Sequence, residues 1–121
     1  MHFRVFIDAV EIDLVSISPL HLPDEEQADP SISQPVTLSR GVGTSRILYE
    51  WNQSRIFKKN DVRTVTIALL DQAGGRPVNI WQLQNARPVR WSGPDLNAME
   101  SGVAMEEIEL TYDNILWRSR T

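Results

Sequence analysis

The chain has 121 residues, 41% of them hydrophobic and 23% charged, with a formal net charge of −4 and no cysteine. That length supports one domain around one core, residues 1–121, with the composition of an ordinary globular protein. Disulfides, thiolate zinc sites and a cysteine nucleophile are excluded, and the acidic balance argues against a general nucleic-acid binder.

At the amino end, MHFRVFIDAVEIDL is broken by Arg4, Asp8, Glu11 and Asp13. It is no signal peptide, so synthesis in the cytoplasm without export is the expectation. No apolar run approaches the roughly 18 to 20 residues of a membrane span. Phe3, Val5 and Ile7 alternate with Arg4, Phe6 and Asp8, a strand pattern that runs on through Ile12 and Leu14. From residue 18 to 35 the alternation stops. Pro19, Pro23, Pro30 and Pro35 punctuate acids and small polar residues, which predicts a long loop.

PVTLSRG restores a short strand. Ile47, Leu48 and Trp51 then share one helical face, predicting a helix over about 45–55 that Thr44 or Ser45 caps. VRTVTIALLD is a strand with Val65, Ile67 and Leu69 on one side and Thr64, Thr66 and Ala68 on the other. Residues Asp71 to Pro77 make a hairpin connection, and VNIWQLQNARPVRW follows as a strand broken at Pro88. The last strand falls at about 103–112, with Ala104, Ile108, Leu110 and Tyr112 inward and Glu107, Glu109 and Thr111 outward. Glu106 lies on its apolar face, so it must be near an edge, paired, or in an interface. The sum is mainly β: a small barrel or sandwich of antiparallel strands with one packed α-helix.

Catalytic chemistry finds little to work with. His2 and His21 are the two histidines, and nothing places either beside a nucleophile with an orienting acid. The carboxylates of PDEEQAD lack the glycine-centred loop of a calcium site, and QAGGRP neither opens a helix nor precedes a lysine. No enzyme, no metal and no cofactor is expected. Charge is unevenly placed, however. Residues 40–63 hold six basic residues against two acidic ones, and residues 11–29 hold six acidic residues and no basic one. Both stretches are solvated surface, or bind nucleic acid and a cation separately, or meet across a head-to-tail contact between copies. The turn from Trp91 through Gly93-Pro94, Asp95 and Asn97 poses a similar choice: a ligand pocket of a monomeric binding domain, or a self-contact.

TLSRGV, LYEW and RTVTIALLDQAGGRPVNIWQLQNARPVRWSGPDLNAMESGVAMEEIELTYDNI, in this order, resemble the inner-tube family of contractile phage tails and phage-derived injection systems. The pattern falls on Leu38, Arg40 and Gly41; Leu48 and Trp51; Thr66, Ile67, Leu69, Leu70, Asp71 and Gly74. It continues through Asn85, Ala86, Pro88, Trp91, Gly93 to Ala98, Val103, Ala104, Glu106, Glu109 and Leu110. The resemblance covers residues 36–116. FRVFIDAVEI matches the family's opening strand pair, while residues 18–35 are shorter than the family's stretch and contain no glycine.

The resemblance implies a tail-tube-like fold and a structural subunit forming hexameric rings with itself. Its other partners would be tube, baseplate and sheath proteins, with nucleic acid only as cargo in the lumen. Assembly in the cytoplasm and residence in a phage-tail-like particle or virion follow. Polar outward positions such as Thr64, Thr66, Glu107 and Glu109 are expected to face a water-filled lumen. Trp51 and Trp91 are expected in the core. The expected subunit interface comprises Arg55, Lys58 and Lys59 opposite Asp24, Glu25 and Glu26, with Trp91, Asp95 and Asn97. The short proline-punctuated segment tilts the expectation from the repeating tube toward a specialised ring, such as the tube initiator next to the baseplate.

Overall fold

A computed structural model describes residues 2–18, 35–42, 45–57, 61–71, 75–94 and 104–119. In chain order its elements are β1 (His2–Ile7), β2 (Val10–Ile12), β3 (Ser16–Ser18), β4 (Val36–Gly41), α1 (Ile47–Phe57), β5 (Arg63–Leu70), β6 (Pro77–Ser92), β7 (Met105–Thr111) and β8 (Asn114–Ser119). All strand pairs are antiparallel, in the order β2-β1-β5-β6-β7-β4-β3, with β8 also on β6. The barrel-or-sandwich expectation thus resolves into one open sheet curled around a single core.

The curl is made at β6. Its first half pairs with β5 on one side and β8 on the other, and residues 87–92 pair with β7. Thr111 lies opposite Arg87 and Asn114 opposite Gln84, so β7 and β8 follow each other along one edge of β6. Both courses turn at the same level. Asn85 takes a left-handed φ of 54°, which asparagine tolerates better than most side chains, and Asp113 N donates to Gln84 O at 2.9 Å. Asp113 accepts from Asn85 Nδ2 at 3.2 Å and Arg87 Nη1 at 3.0 Å, which ties the two bends together. A register shift between Pro88 and Arg90 adds a bulge. Pro88 therefore does not end the strand: residues 87–92 pair only with β7 among the described residues, leaving an edge that needs no donor from proline.

Inside the curl, Val5, Ile7, Leu38, Leu48, Trp51, Val65, Ile67, Leu83, Ile108 and Leu110 form one buried cluster. Trp51 is fully buried, and its Nε1 donates to the carbonyl of Asp61 at 2.9 Å, satisfying the indole within the core. Helix α1 lays Leu48 and Trp51 into this cluster and packs on β6.

Several expectations shift. The amino-terminal pattern is a hairpin, not one strand: Ile7 pairs with Val10, and Asp8 takes φ 53° in the two-residue turn. The inward positions pass from odd (Val5, Ile7) to even (Ile12) across this turn, a phase change in the pattern that marks the bend. Helix α1 begins at Ile47, with Arg46 O accepting from Glu50 N at 2.8 Å, so Ser45 does not sit at the cap position; Thr44 lies outside the described residues. The Asp71–Pro77 connection holds, with Asp71 N to Arg76 O at 3.0 Å. The strand expected at about 103–112 is β7, a further strand β8 follows it, and β3 adds a short edge beside β4.

A candidate assembly site around Trp91, Arg40 and Glu106

Adjacent strands bring this site together. Arg40 on β4 is the ladder partner of Glu106 on β7, and Trp91 on β6 is the partner of Ile108, on the same core-facing side. Arg40 Nε donates to Glu106 Oε1 at 2.5 Å, and Trp91 Nε1 donates to Glu106 Oε2 at 3.0 Å. Arg40 Nη2 also donates to the carbonyl of Ser45, just ahead of α1. The side chains of Arg40 and Glu106 are 8% and 6% exposed. Glu106 is thus the paired case among its three options, with a donor on each carboxylate oxygen. One buried ion pair fixes the spacing of β4, β6 and β7 and anchors the entry of the helix.

Outside the pair the wall turns aromatic. Tyr49 meets Trp91 edge to face, with centroids 5.1 Å apart at 71°, and Arg46 lies over the Tyr49 ring at 5.0 Å. A depression of about 240 Å³ opens here between Val42, Ser45, Arg46, Tyr49, Trp91, Pro94 and Glu106. The indole folds back over Gly93, where an added Cβ would stand 2.8 Å from Trp91 Cη2. Glycine is required here by ring contact. Trp91 is half-buried rather than fully in the core, because one side of its ring forms the wall of the depression.

Of the expected interface residues, the described part of the chain holds Arg55 and Trp91. Arg55 is exposed in the last turn of α1, beside Ile56 at 67% and Phe57 at 84% exposure. The structure does not bring Arg55 to Trp91's site. Lys58, Lys59, Asp24, Glu25, Glu26, Asp95 and Asn97 lie outside the described residues, as does His21. The sequence placed Arg40, Trp91 and Glu106 in the family pattern but did not join them; the ladder does so by setting Arg40 opposite Glu106. Sequence reasoning missed the Asn85–Arg87–Asp113 tie. The four positions expected around a lumen divide: Thr64 and Thr66 lie on β5 and Glu107 and Glu109 on β7, which pair with successive stretches of β6 on either side of its bend. No metal-sized group of His, Asp and Glu occurs among the described residues, and no described helix is long and apolar enough to cross a membrane.

A curled antiparallel sheet with one helix, whose polar cluster is consumed in positioning strands, defines a structural tail-tube-like fold. Residues 28–116 match the model of the T4-like virus tail tube protein gp19 family, and the chain belongs to that family. Among curated proteins no sequence matches it. Its fold is similar to a chain in the cryo-EM structure of the anti-feeding prophage cap, the AFP tube terminating cap. That match has TM-score 0.83 at 22% identity, over 98% of this chain and 88% of that one. A chain of the PVC sheath/tube terminator in the extended state gives 0.81 at 25% identity, over 97% and 93%. Hcp1 from Flavobacterium johnsoniae shares the fold at 0.69 and 10% identity, over 98% and 95%. The chain is a tail tube-like or tube-terminator-like protein of the contractile-injection type.

Proposed function

We propose that this chain is a non-enzymatic structural subunit that closes into hexameric rings of an inner tube, and that it forms a specialised ring at a tube end. The family match over residues 28–116 carries the reading. Free strand edges support it: β8 pairs only with β6, and β2 only with β1, among the described residues. Such edges are a hazard on a monomer and a joint in a closed ring. The specialised position rests on residues 18–35, which are short and rich in proline for long inter-subunit strand pairing. The initiating ring beside the baseplate is the position favoured.

Contacts between rings join Arg55, Lys58 and Lys59 to Asp24, Glu25 and Glu26 of a neighbour, with Trp91, Asp95 and Asn97 forming a second contact. Partners are further tube, sheath and baseplate proteins, and nucleic acid enters only as cargo. The ring assembles in the cytoplasm and leaves it within a phage-tail-like particle.

The 240 Å³ depression favours one rival, a monomeric domain binding a ligand beside Trp91. That rival is weaker because the indole N–H and one ring face are already committed to Glu106 and Gly93. Electron microscopy and mass measurement of the chain expressed alone decide the matter. Single or double rings are expected. Long tubes make it the repeating subunit, and a strict monomer at high concentration removes the ring.

A further inference from the structure

Helix α1 carries an apolar feature at each end that the fold leaves open to solvent. At its carboxy end Ile56 is 67% exposed and Phe57 84%, on a helix whose other side buries Leu48 and Trp51. At its amino end lies the depression walled by Val42, Tyr49, Trp91 and Pro94, with Arg46 over the Tyr49 ring at 5.0 Å. One end is a projection and the other a hollow.

Size decides what the hollow can take. Its volume of about 240 Å³ falls below the roughly 300 to 1,000 Å³ of a pocket for a whole small molecule, and suits one aromatic side chain. Its walls favour a ring: Tyr49 and Trp91 already meet edge to face, and a third ring extends the same kind of cluster. Charge agrees. The last carbonyls of α1, beside Phe57, lack intrahelical partners and carry the negative end of the helix dipole. Arg46 is exposed at the rim of the hollow, makes no ion pair among the described residues, and supplies the matching cation.

We propose that Phe57 of one copy of the chain seats in the Trp91–Tyr49 hollow of the next copy, with the end of α1 against Arg46. This deepens the ring reading above and rests on it. Phe57 cannot fill the hollow of its own subunit, because the helix holds its two ends about 16 Å apart. A projection and its hollow at different places on one chain form a head-to-tail contact, the kind that repeats from copy to copy. Seating buries about 150 to 250 Å² of Phe57, close to a quarter of the ~800 Å² that each partner gives to a standard interface. Phe57 is thus the anchor of the contact rather than the whole of it.

Cysteine substitution reads the contact directly, because the chain has none of its own. Ile56→Cys beside the anchor and Val42→Cys on the wall are made singly and together, assembled, and treated with a short bis-maleimide. Both positions are exposed, so neither change disturbs the core. The single variants should stay unlinked, and their equimolar mixture should give linked pairs. The chain carrying both should give a ladder of trimers and higher multiples, lost when Phe57→Ala is added. In the cysteine-free chain, Phe57→Ala should raise the concentration needed for assembly by about tenfold or more. Arg46→Glu should weaken assembly as well, and Arg46→Lys should retain it. Ile56→Cys linking to itself, or a doubly substituted chain that stops at dimers, overturns the head-to-tail contact. Rings seen by electron microscopy without the ladder, or formed unchanged by Phe57→Ala, overturn the seating of Phe57 and leave the ring reading standing. An unsubstituted chain that stays monomeric by mass at high concentration overturns both.

Discussion

Replacing Arg40 by Met removes the cation from beneath Glu106 and leaves a carboxylate 6% exposed with the Trp91 indole as its remaining donor. Breaking a buried pair from one side costs about 3 to 5 kcal/mol, because the surviving charge is neither solvated nor matched. The same substitution frees the Ser45 carbonyl, so the helix entry loses its anchor as well. Unfolding entropy of ~2.1 cal/mol/K per residue converts each kcal/mol into a midpoint shift of about 4 °C at this length. Arg40→Met should therefore lower the thermal midpoint by about 12 to 20 °C, a large part of the ~5 to 15 kcal/mol that holds such a domain together. The partner experiment gives the argument its edge. Arg40→Met with Glu106→Leu removes both charges, and such apolar replacements of buried pairs are often neutral or stabilising. The double variant should recover most of the lost stability, read by calorimetry and urea titration. If Arg40→Met costs less than about 1 kcal/mol, or if the double variant is less stable than the single one, then the pair is solvated in practice and does not organise this site.

Gly93→Ala should cost about 1 to 3 kcal/mol, because its methyl meets an indole that Glu106 prevents from swinging away; near-ultraviolet circular dichroism of Trp91 should change with it. Asn85→Ala should cost about 1 to 2 kcal/mol at φ 54°, while Asn85→Gly keeps the backbone and loses only the bond to Asp113, so glycine should be the milder change in a denaturant titration. Hydrogen bonding from Arg87, then from Asn85, holds the Asp113 carboxyl below its ordinary value of 3.8. Its contribution is therefore fully present above pH 3.8 and fades as pH falls through the lower folded value; Asp113→Asn should flatten that part of the stability profile, and an unchanged profile would show that the tie is idle.

Where physics acts locally, the sequence was legible. Alternation in RTVTIALL and AMEEIELTY located β5 and β7 and their inward residues, because one buried face of a strand imposes period two. Leu48 and Trp51 located the buried stripe of α1 for the equivalent reason. Turns that shift the phase of the pattern by one residue were not read. At the Asp8–Ala9 hairpin the inward positions change from odd (Val5, Ile7) to even (Ile12), and at the Tyr112–Asp113 corner from even (Ile108, Leu110) to odd (Ile115). A break of phase this short, between few residues, was not read as a turn, so two strands read as one at the amino end. At the carboxy end β8 carries only partial burial at Ile115 and Leu116 and an exposed Trp117, too little contrast to announce a strand.

The candidate site divides along the same line. Glu106 was visible because a carboxylate on an apolar face violates the pattern of its own strand, and a violation inside one chain has its remedy inside that chain, here Arg40 and the Trp91 N–H. Arg40 was singled out by the family pattern, but its pairing was not visible. Arg40 sits at a strand end beside a glycine, where a basic residue breaks no rule until the ladder places it opposite Glu106. Assembly surfaces are harder in principle: each presents half of a complementary arrangement, and the other half lies on another molecule. Ile56 and Phe57 at the end of α1 illustrate this, being 67% and 84% exposed among the described residues. The contacts that would close a ring therefore require the neighbour, whereas Glu106 required only its own chain.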